Sequence, residues 1–401
     1  MRVLFAEKMP EQARARLASS GFEVRSEPAL EGAALAELLR SWGPDVLVVR
    51  GKKVTKEHAD ATGRLSLVVR AGAGVNTIDV AACSARGIFV ANCPGKNAVA
   101  VAELAFGLLL AIDRHIPENV ADLRAGKWNK GLYSKARGLK GRTFGIIGMG
   151  EIGTAVAQRA AGFEMPVVAW SRSLTKERAA ELGVERAASP DEVARKSDIV
   201  SVHVALTPET KGLVNQAVFA AMRPGAIFLN TSRAEVVDDA ALLRAIEERG
   251  LKVGLDVYSG EPSGKDGPFD HPLARHPAVI GTHHIGASTD QAQEAVGDET
   301  CRIIERFRDH GEVPNCVNLL VRSAATHRIT VRHLDRVGVL AAVLDLMREA
   351  EINVQEMENV IFPDGAAIAR VQVSRSPDDA LLRRLAALEH VLAVSVVSLS
   401  G

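Results

Sequence analysis

Two apolar patterns alternate along this chain. Runs of three to five consecutive apolar residues read as strands buried on both faces; between them apolar positions recur three and four apart, as on one face of a helix. Over residues 1–97 the runs fall at 3–6, 46–49, 67–69 and 88–91, with amphipathic helices at 11–19, 33–42 and 78–85. The stretch 98–112 reads as a buried helix that ends near Pro117. A second series has strands at 144–147, 167–170, 199–202, 227–229, 253–255 and 279–280, separated by helices such as 152–161 and 238–249. This alternation predicts two α/β layers with parallel, doubly wound sheets. A helix begins after Ser288, which has Gln291 at capping-box spacing, and runs to about His310. Residues 311–323 contain Pro314 and little periodicity, and read as a linker. The tail then gives strand 328–332, helix 339–348, strand 354–361, a Pro-Asp-Gly turn at 363–365, strand 366–373, helix 378–388 and strand 391–399. That βαββαβ order is ferredoxin-like.

One turn in the second series carries chemistry. Gly148, Gly150 and Gly153 stand at G-x-G-x-x-G spacing between a strand and an amphipathic helix. The backbone there, through Glu151 and Ile152, would present free N–H groups to a diphosphate, as in a Rossmann-like dinucleotide site. The acid that usually ends the next strand is missing: Ser171 and Arg172 stand there, a hydroxyl and a cation able to hold a 2′-phosphate. NAD and NADP are both open as cofactors.

Composition narrows the class. A chain of 401 residues, 47% apolar, has core enough for two or three domains. Its 49 basic and 49 acidic residues balance, which gives no footprint for nucleic acid or for an anionic membrane. Cys83, Cys93, Cys301 and Cys316 have no metal-ligand spacing and suit free thiols in a reducing compartment. Glu7 and Lys8 come too early for a signal peptide, so a cytoplasmic protein is expected.

Three segments after strands of the second series hold reactive side chains: Asn230-Thr231-Ser232-Arg233, the stretch from Asp256 to Glu261, and His283-His284-Ile285-Gly286-Ala287-Ser288-Thr289. All lie at carboxyl ends of parallel strands, where ligands bind in such sheets. With the Gly-rich turn, these segments over residues 1–320 resemble the D-isomer-specific 2-hydroxyacid dehydrogenases. The resemblance implies an Arg–Glu–His constellation. His284 would take the hydroxyl proton of a 2-hydroxy acid, or return it to a 2-oxo acid. Glu261 would hydrogen-bond and orient that imidazole, and Arg233 would clamp the substrate carboxylate. Asp256 would hold the nicotinamide, and His203, Thr207 and Thr231 would line the cofactor cleft. His283 stands where the family usually has proline, Ala205 likewise, and Ala234 where it usually has glycine.

The same resemblance implies a substrate-binding domain of residues 1–97 and 286–318, a dinucleotide-binding domain of 98–285 and a homodimer or homotetramer. Gly74 and Val75 would offer backbone N–H groups to the substrate carboxylate, with Arg50 and Lys53 nearby. Lys130, on an arm with Trp128 that would pack against a partner copy, would reach a substrate phosphate. No metal is expected. Residues 326–401 resemble an ACT domain, a module that binds amino-acid effectors; the effector contacts would fall at His333, Asp335 and Asn353, with aspartate where asparagine is usual at 335. Such a tail points to the phosphoglycerate-oxidising branch, at the entry to L-serine synthesis. An NADP-linked glyoxylate or hydroxypyruvate reductase and a dinucleotide-sensing corepressor are the alternatives.

Overall fold

The computed structural model describes residues 1–262, 266–320 and 323–399; residues 321–322 of the expected linker and the last two of the tail lie outside the described residues. The chain separates into two compact units, Met1–Asn318 and Leu319–Gly401.

The first unit holds two parallel sheets. One is built from β1 (Arg2–Phe5), β2 (Glu23–Ser26), β3 (Val46–Val49), β4 (Leu67–Arg70) and β5 (Phe89–Asn92), in the order β2-β1-β3-β4-β5. The other contains β6 (Phe144–Ile147), β7 (Val167–Trp170), β8 (Glu185–Arg186), β9 (Ile199–Val202), β10 (Ile227–Asn230), β11 (Lys252–Leu255) and β12 (Val279–Gly281), in the order β12-β11-β10-β9-β6-β7-β8. The order reverses around β6, which is where an open α/β sheet opens a crevice for a ligand. β2 and β8 escape the apolar pattern because they are polar edge strands, Glu-Val-Arg-Ser and Glu-Arg, each supported on one side only.

Helix Ala98–Arg114 packs Ala102, Phe106 and Leu109 with Phe144 and Ile146 of β6. It ends at His115, whose φ of 50° is left-handed, and not at Pro117. Pro117 lies in the first turn of the next helix, Ile116–Arg124, where a missing N–H leaves no bond unmade. Helix Asp290–His310 returns to the first sheet and buries Val296, Ile303 and Ile304 with Val3, Phe5 and Val69. Its cap is Thr289, accepting from Ala292 N–H at 3.2 Å, one residue beyond the Ser288 expected. No helix among the described residues is long and apolar enough to cross a membrane.

The second unit pairs β13 (His327–Leu334), β14 (Val354–Ile361), β15 (Ala366–Val373) and β16 (Val391–Ser398) in one antiparallel sheet, order β14-β15-β13-β16. Helices Val339–Glu349 and Asp379–Ala386 cover one face, closing a core of Ile329, Val331, Val343, Val371 and Leu385. This is the βαββαβ arrangement of an ACT-type domain.

Between Arg114 and Arg142 the chain makes an outward excursion, and a buried ion pair closes its base. Arg142 Nη1 donates to Asp113 Oδ1 at 2.9 Å, with the side chains 8% and 5% exposed, and Gly138 N–H donates to the other oxygen at 3.1 Å. Removing one partner of such a pair leaves an uncompensated buried charge, worth about 3–5 kcal/mol. Asp113→Ala should therefore lower the thermal midpoint sharply, and Asp113→Asn less; an unchanged midpoint in Asp113→Ala would contradict this role for the pair.

Candidate active site

The Gly-rich turn is shaped by sterics. Gly148 has φ 107°, and a Cβ there would meet the His203 carbonyl oxygen at 2.5 Å; a Cβ on Gly153 would overlap the Gly148 carbonyl. Gly150, by contrast, faces open space at the N-terminus of the twelve-residue helix Glu151–Gly162. That combination, a crowded turn beneath an open helix start, suits a diphosphate approaching the backbone. Glu151 lies against Gly95 of the first sheet's last loop. Two polar atoms at the ends of neighbouring strands are buried without partners: the Thr231 hydroxyl after β10 and His203 Nδ1 after β9. Burial pushes the His203 imidazole down to about 3, so the ring is neutral, and its Nε2 pairs with the Ser201 hydroxyl at 2.8 Å. Thr207 donates its N–H to the Thr210 hydroxyl at 2.8 Å, which tightens the same loop. These groups fit a nicotinamide dinucleotide laid along the carboxyl edge of the sheet. Ser171 and Arg172 follow β7, with Arg172 exposed.

His284 sits on the loop after β12 with φ 52°, a left-handed conformation uncommon outside glycine and frequent at functional sites. Its Nδ1 meets Glu261 Oε2 at 2.7 Å, while Tyr258 N–H donates to Glu261 Oε1 at 2.8 Å. Burial raises the Glu261 carboxyl, but the His284 hydrogen bond, the Tyr258 N–H and the nearby charges of His284 and Arg233 together hold it below its ordinary value. The stability this carboxylate contributes is therefore complete above pH 4.5 and is lost only as pH falls through the lowered value. With Nδ1 held by the carboxylate, Nε2 is the ring atom left for a substrate. His283 beside it is exposed and has no hydrogen-bond partner among the described residues.

Asp256, expected to hold the nicotinamide, also binds the loop that carries His284. Its carboxylate, 1% exposed, accepts from the Thr282 hydroxyl at 2.6 Å and from the N–H groups of Ile285 and Gly286 at 2.8 Å each. It anchors both flanks of His284. Asn230 does the same for Arg233: its Oδ1 accepts from Ser232 N–H and hydroxyl at 3.0 and 2.8 Å, and its amide donates to the Arg233 carbonyl at 3.0 Å.

Arg233 lies against Gly74, where an added Cβ would come within 2.9 Å of Nη2. The carboxyl edges of the two sheets thus face each other across one cleft, and Arg50 spans it too, with Nη2 3.5 Å from the Ala287 carbonyl. Sequence reasoning missed Arg70, which ends β4. Burial first, then the charges of Arg233 and Arg50, push its guanidinium down to about 10, and its Nε is buried without a partner. Arg70 and Arg50 of the first sheet thus share this part of the cleft with Arg233 of the second, with Glu7 as a nearby counter-charge. Glu7 is itself committed: the N–H groups of Arg50, Gly51 and Lys52 all donate to its Oε1. The signal for Arg70 is its place at the carboxyl end of a parallel strand, beside the more conspicuous glycines. Lys52 is tied back to the carbonyls of Pro28 and Leu30 at 2.8 and 2.5 Å, while Lys53 is exposed. Val75 is half-buried beside Gly74. Lys130 opens the short helix Lys130–Tyr133 on the excursion, exposed and bonded to none of these groups.

The three residues expected to hold an effector are not brought together within one copy. His333 is buried, its Nδ1 2.8 Å from the Leu334 carbonyl and its Nε2 3.2 Å from Asn359 Oδ1. Asp335 follows the end of β13 that pairs with Ala366, whereas Asn353 precedes the start of β14, beside Val373 and across from His327. An eight-residue strand, roughly 25 Å, separates the two ends.

Comparison with known proteins agrees with this geometry. Residues 106–286 match the family model of the D-isomer specific 2-hydroxyacid dehydrogenase NAD binding domain. The D-3-phosphoglycerate dehydrogenase of Methanocaldococcus jannaschii is 38% identical over 277 residues, 69% of this chain and 52% of that protein. The chain thus spans about half the length of the curated relatives it matches. Among solved structures, the TT0316 protein from Thermus thermophilus superposes with a TM-score of 0.70 at 34% identity, over 79% of this chain and 100% of that one. The NAD+-bound 3-phosphoglycerate dehydrogenase of Entamoeba histolytica gives 0.66 at 27% identity, over 80% and 99%.

The anchoring of the histidine loop can be measured. Asp256→Ala leaves three donors of that loop without their acceptor, each buried loss costing about 1–3 kcal/mol. It should lower the thermal midpoint and raise hydrogen exchange at Ile285 and Gly286. Unchanged exchange there would refute the anchor.

Proposed function

The chain belongs to the D-isomer-specific 2-hydroxyacid dehydrogenases and carries their NAD(P)-binding Rossmann domain, and from that membership we propose that it oxidises D-3-phosphoglycerate at C2 or reduces the corresponding 2-oxo acid. The observation that carries this reading is the meeting of Arg50 and Arg70, from the first sheet, with Arg233, which follows β10 of the sheet that carries the His284–Glu261 pair. One carboxylate needs one guanidinium fork; three such groups suit a substrate with a second anion. The names of the curated relatives support the phosphorylated acid.

Arg233 and the Gly74 backbone clamp the substrate carboxylate, and Arg233 polarises the C2 oxygen. Arg70 and Arg50 balance the remaining charge. The Nε2 of His284 takes the C2 hydroxyl proton in oxidation and returns it in reduction, while Glu261 holds the ring by Nδ1 and offsets the positive charge that develops on it. The bound nicotinamide supplies the hydride acceptor. Asp256 and Asn230 act by position, holding the loops that carry His284 and Arg233 at the carboxyl edge of the second sheet. The excursion leaves Leu123, Trp128 and Leu132 exposed, Trp128 at 83%, and a second copy covering them makes the homodimer. L-serine is the effector we assign to the tail, in a site that needs two copies to unite Asp335 with Asn353.

His284→Ala should cut turnover of D-3-phosphoglycerate by ~10²–10⁴-fold, the usual worth of general acid–base assistance, and His283→Ala by less than about threefold. Equal losses in two folded variants would overturn the assignment. For the tail, millimolar L-serine should lower turnover by the full chain, and Asn353→Ala should relieve it. Turnover and thermal midpoint that ignore serine would reject it as effector.

A further inference from the structure

One ion pair bridges the mouth of the Gly-rich turn. β7 and β9 flank β6 in the sheet, and β6 ends in that turn. The loop after β7 brings Arg172, the loop after β9 brings Glu209, and Arg172 Nη1 lies 3.8 Å from Glu209 Oε2. The side chains are 63% and 62% exposed, so the pair is no structural support; exposed pairs of this kind are worth about 0–1 kcal/mol. Arg172 has no other ion-pair partner among the described residues. The Thr207 hydroxyl and Glu209's own backbone N–H, with Arg172 adding, hold the Glu209 carboxyl below its ordinary range, so it is charged at neutral pH.

In a sheet of this kind the adenosine ribose lies at the end of the strand after the Gly-rich helix, here β7. An acid there selects the free 2′-hydroxyl of NAD, and an arginine accommodates the 2′-phosphate of NADP. This chain has Ser171 at that strand end and Arg172 next to it, a pattern that by itself points to the phosphate. Glu209 reverses the sign. We propose that Glu209, reaching in from the loop after β9, is the residue that discriminates against NADP: it stands in for the acid that β7 lacks, occupies Arg172 and repels the 2′-phosphate. The discrimination is electrostatic, an unfavourable like charge set against the wrong cofactor, and no steric block is involved. The inference rests on the Gly-rich turn as the dinucleotide site and is independent of which hydroxy acid is oxidised.

Dissociation constants for NADH and NADPH test it, read from nicotinamide fluorescence on the full chain with no acid substrate present. The wild type should bind NADH at least tenfold more tightly than NADPH. Glu209→Gln should lower the ratio of the NADPH constant to the NADH constant about tenfold. That gain should be smaller in the Glu209→Gln, Arg172→Ala double variant, where only the relief of repulsion remains, and should shrink as salt is raised to about 0.5 M, where exposed charges are screened within a few ångströms. A ratio unchanged by Glu209→Gln, or a gain that does not respond to salt, would overturn the proposal. Failure of the wild type to bind either nucleotide would overturn the cofactor site itself, and the proposal with it. Tight nucleotide binding without turnover of 3-phosphoglycerate would instead count only against the substrate reading.

Discussion

The buried carboxylate of Asp256 lies between β11 and the loop after β12, and both flanks of His284 hydrogen-bond to it. A left-handed histidine is costly by about 1–3 kcal/mol and persists only where its surroundings over-determine it. Asp256 supplies that constraint from within the sheet; Glu261 supplies the rest from the loop after β11. A Cβ on Gly286 would come within 2.9 Å of Asp256 Oδ2, so the glycine is part of the same anchor. The imidazole that results has one nitrogen committed and one free, which is what a proton carrier at a cleft edge requires.

The second determinant is the opposed direction of charge. Each parallel sheet directs its strand ends, and the residues that follow them, to the cleft. From the second sheet come a carboxylate–imidazole pair and Arg233; from the first come Arg50, Arg70 and a backbone turn at Gly74. Arg70 loses hydration and sits among like charges, and both effects favour an incoming anion. An anion bound there would complete an arrangement of charges dominated by arginine on this side. Glu7, by holding the 50–52 turn through backbone N–H groups, keeps Arg50 in place without competing for the cleft.

Much of this is legible in the sequence, for reasons that differ by residue. The Gly-rich turn can be read because its glycines answer steric demands local to the turn and to the helix beside it. The strands of both parallel sheets are visible as apolar runs, except β2 and β8, whose edge positions never required apolar side chains. Arg233, Glu261 and His284 stand out because they follow strands and because their spacing resembles a family. Arg70 does not, since nothing local separates a cleft arginine from a surface one; only the opposing sheet does so. The hydrogen bonds by which Asp256 holds a loop some thirty residues away leave no mark in sequence spacing. The separation of Asp335 from Asn353 follows from the crossover helix between β13 and β14, which run in the same direction, so that the end of one strand and the start of the next lie at opposite edges of the sheet. The helix start at Thr289 shows the same limit on a small scale, since adjacent hydroxyls compete for one cap.

The central claim is that the cleft recognises a D-2-hydroxy acid bearing a second anion. It is tested most directly by following nicotinamide reduction with NAD on D-3-phosphoglycerate, D-glycerate and the L-enantiomer of the phosphorylated acid. The account predicts turnover of D-3-phosphoglycerate with a kcat/KM at least about a hundredfold above that for D-glycerate, on the order of the two charge-assisted contacts that the phosphate adds, and none with the L-enantiomer. Equal kcat/KM for the phosphorylated and unphosphorylated D-acids, or turnover of the L-enantiomer, would contradict it.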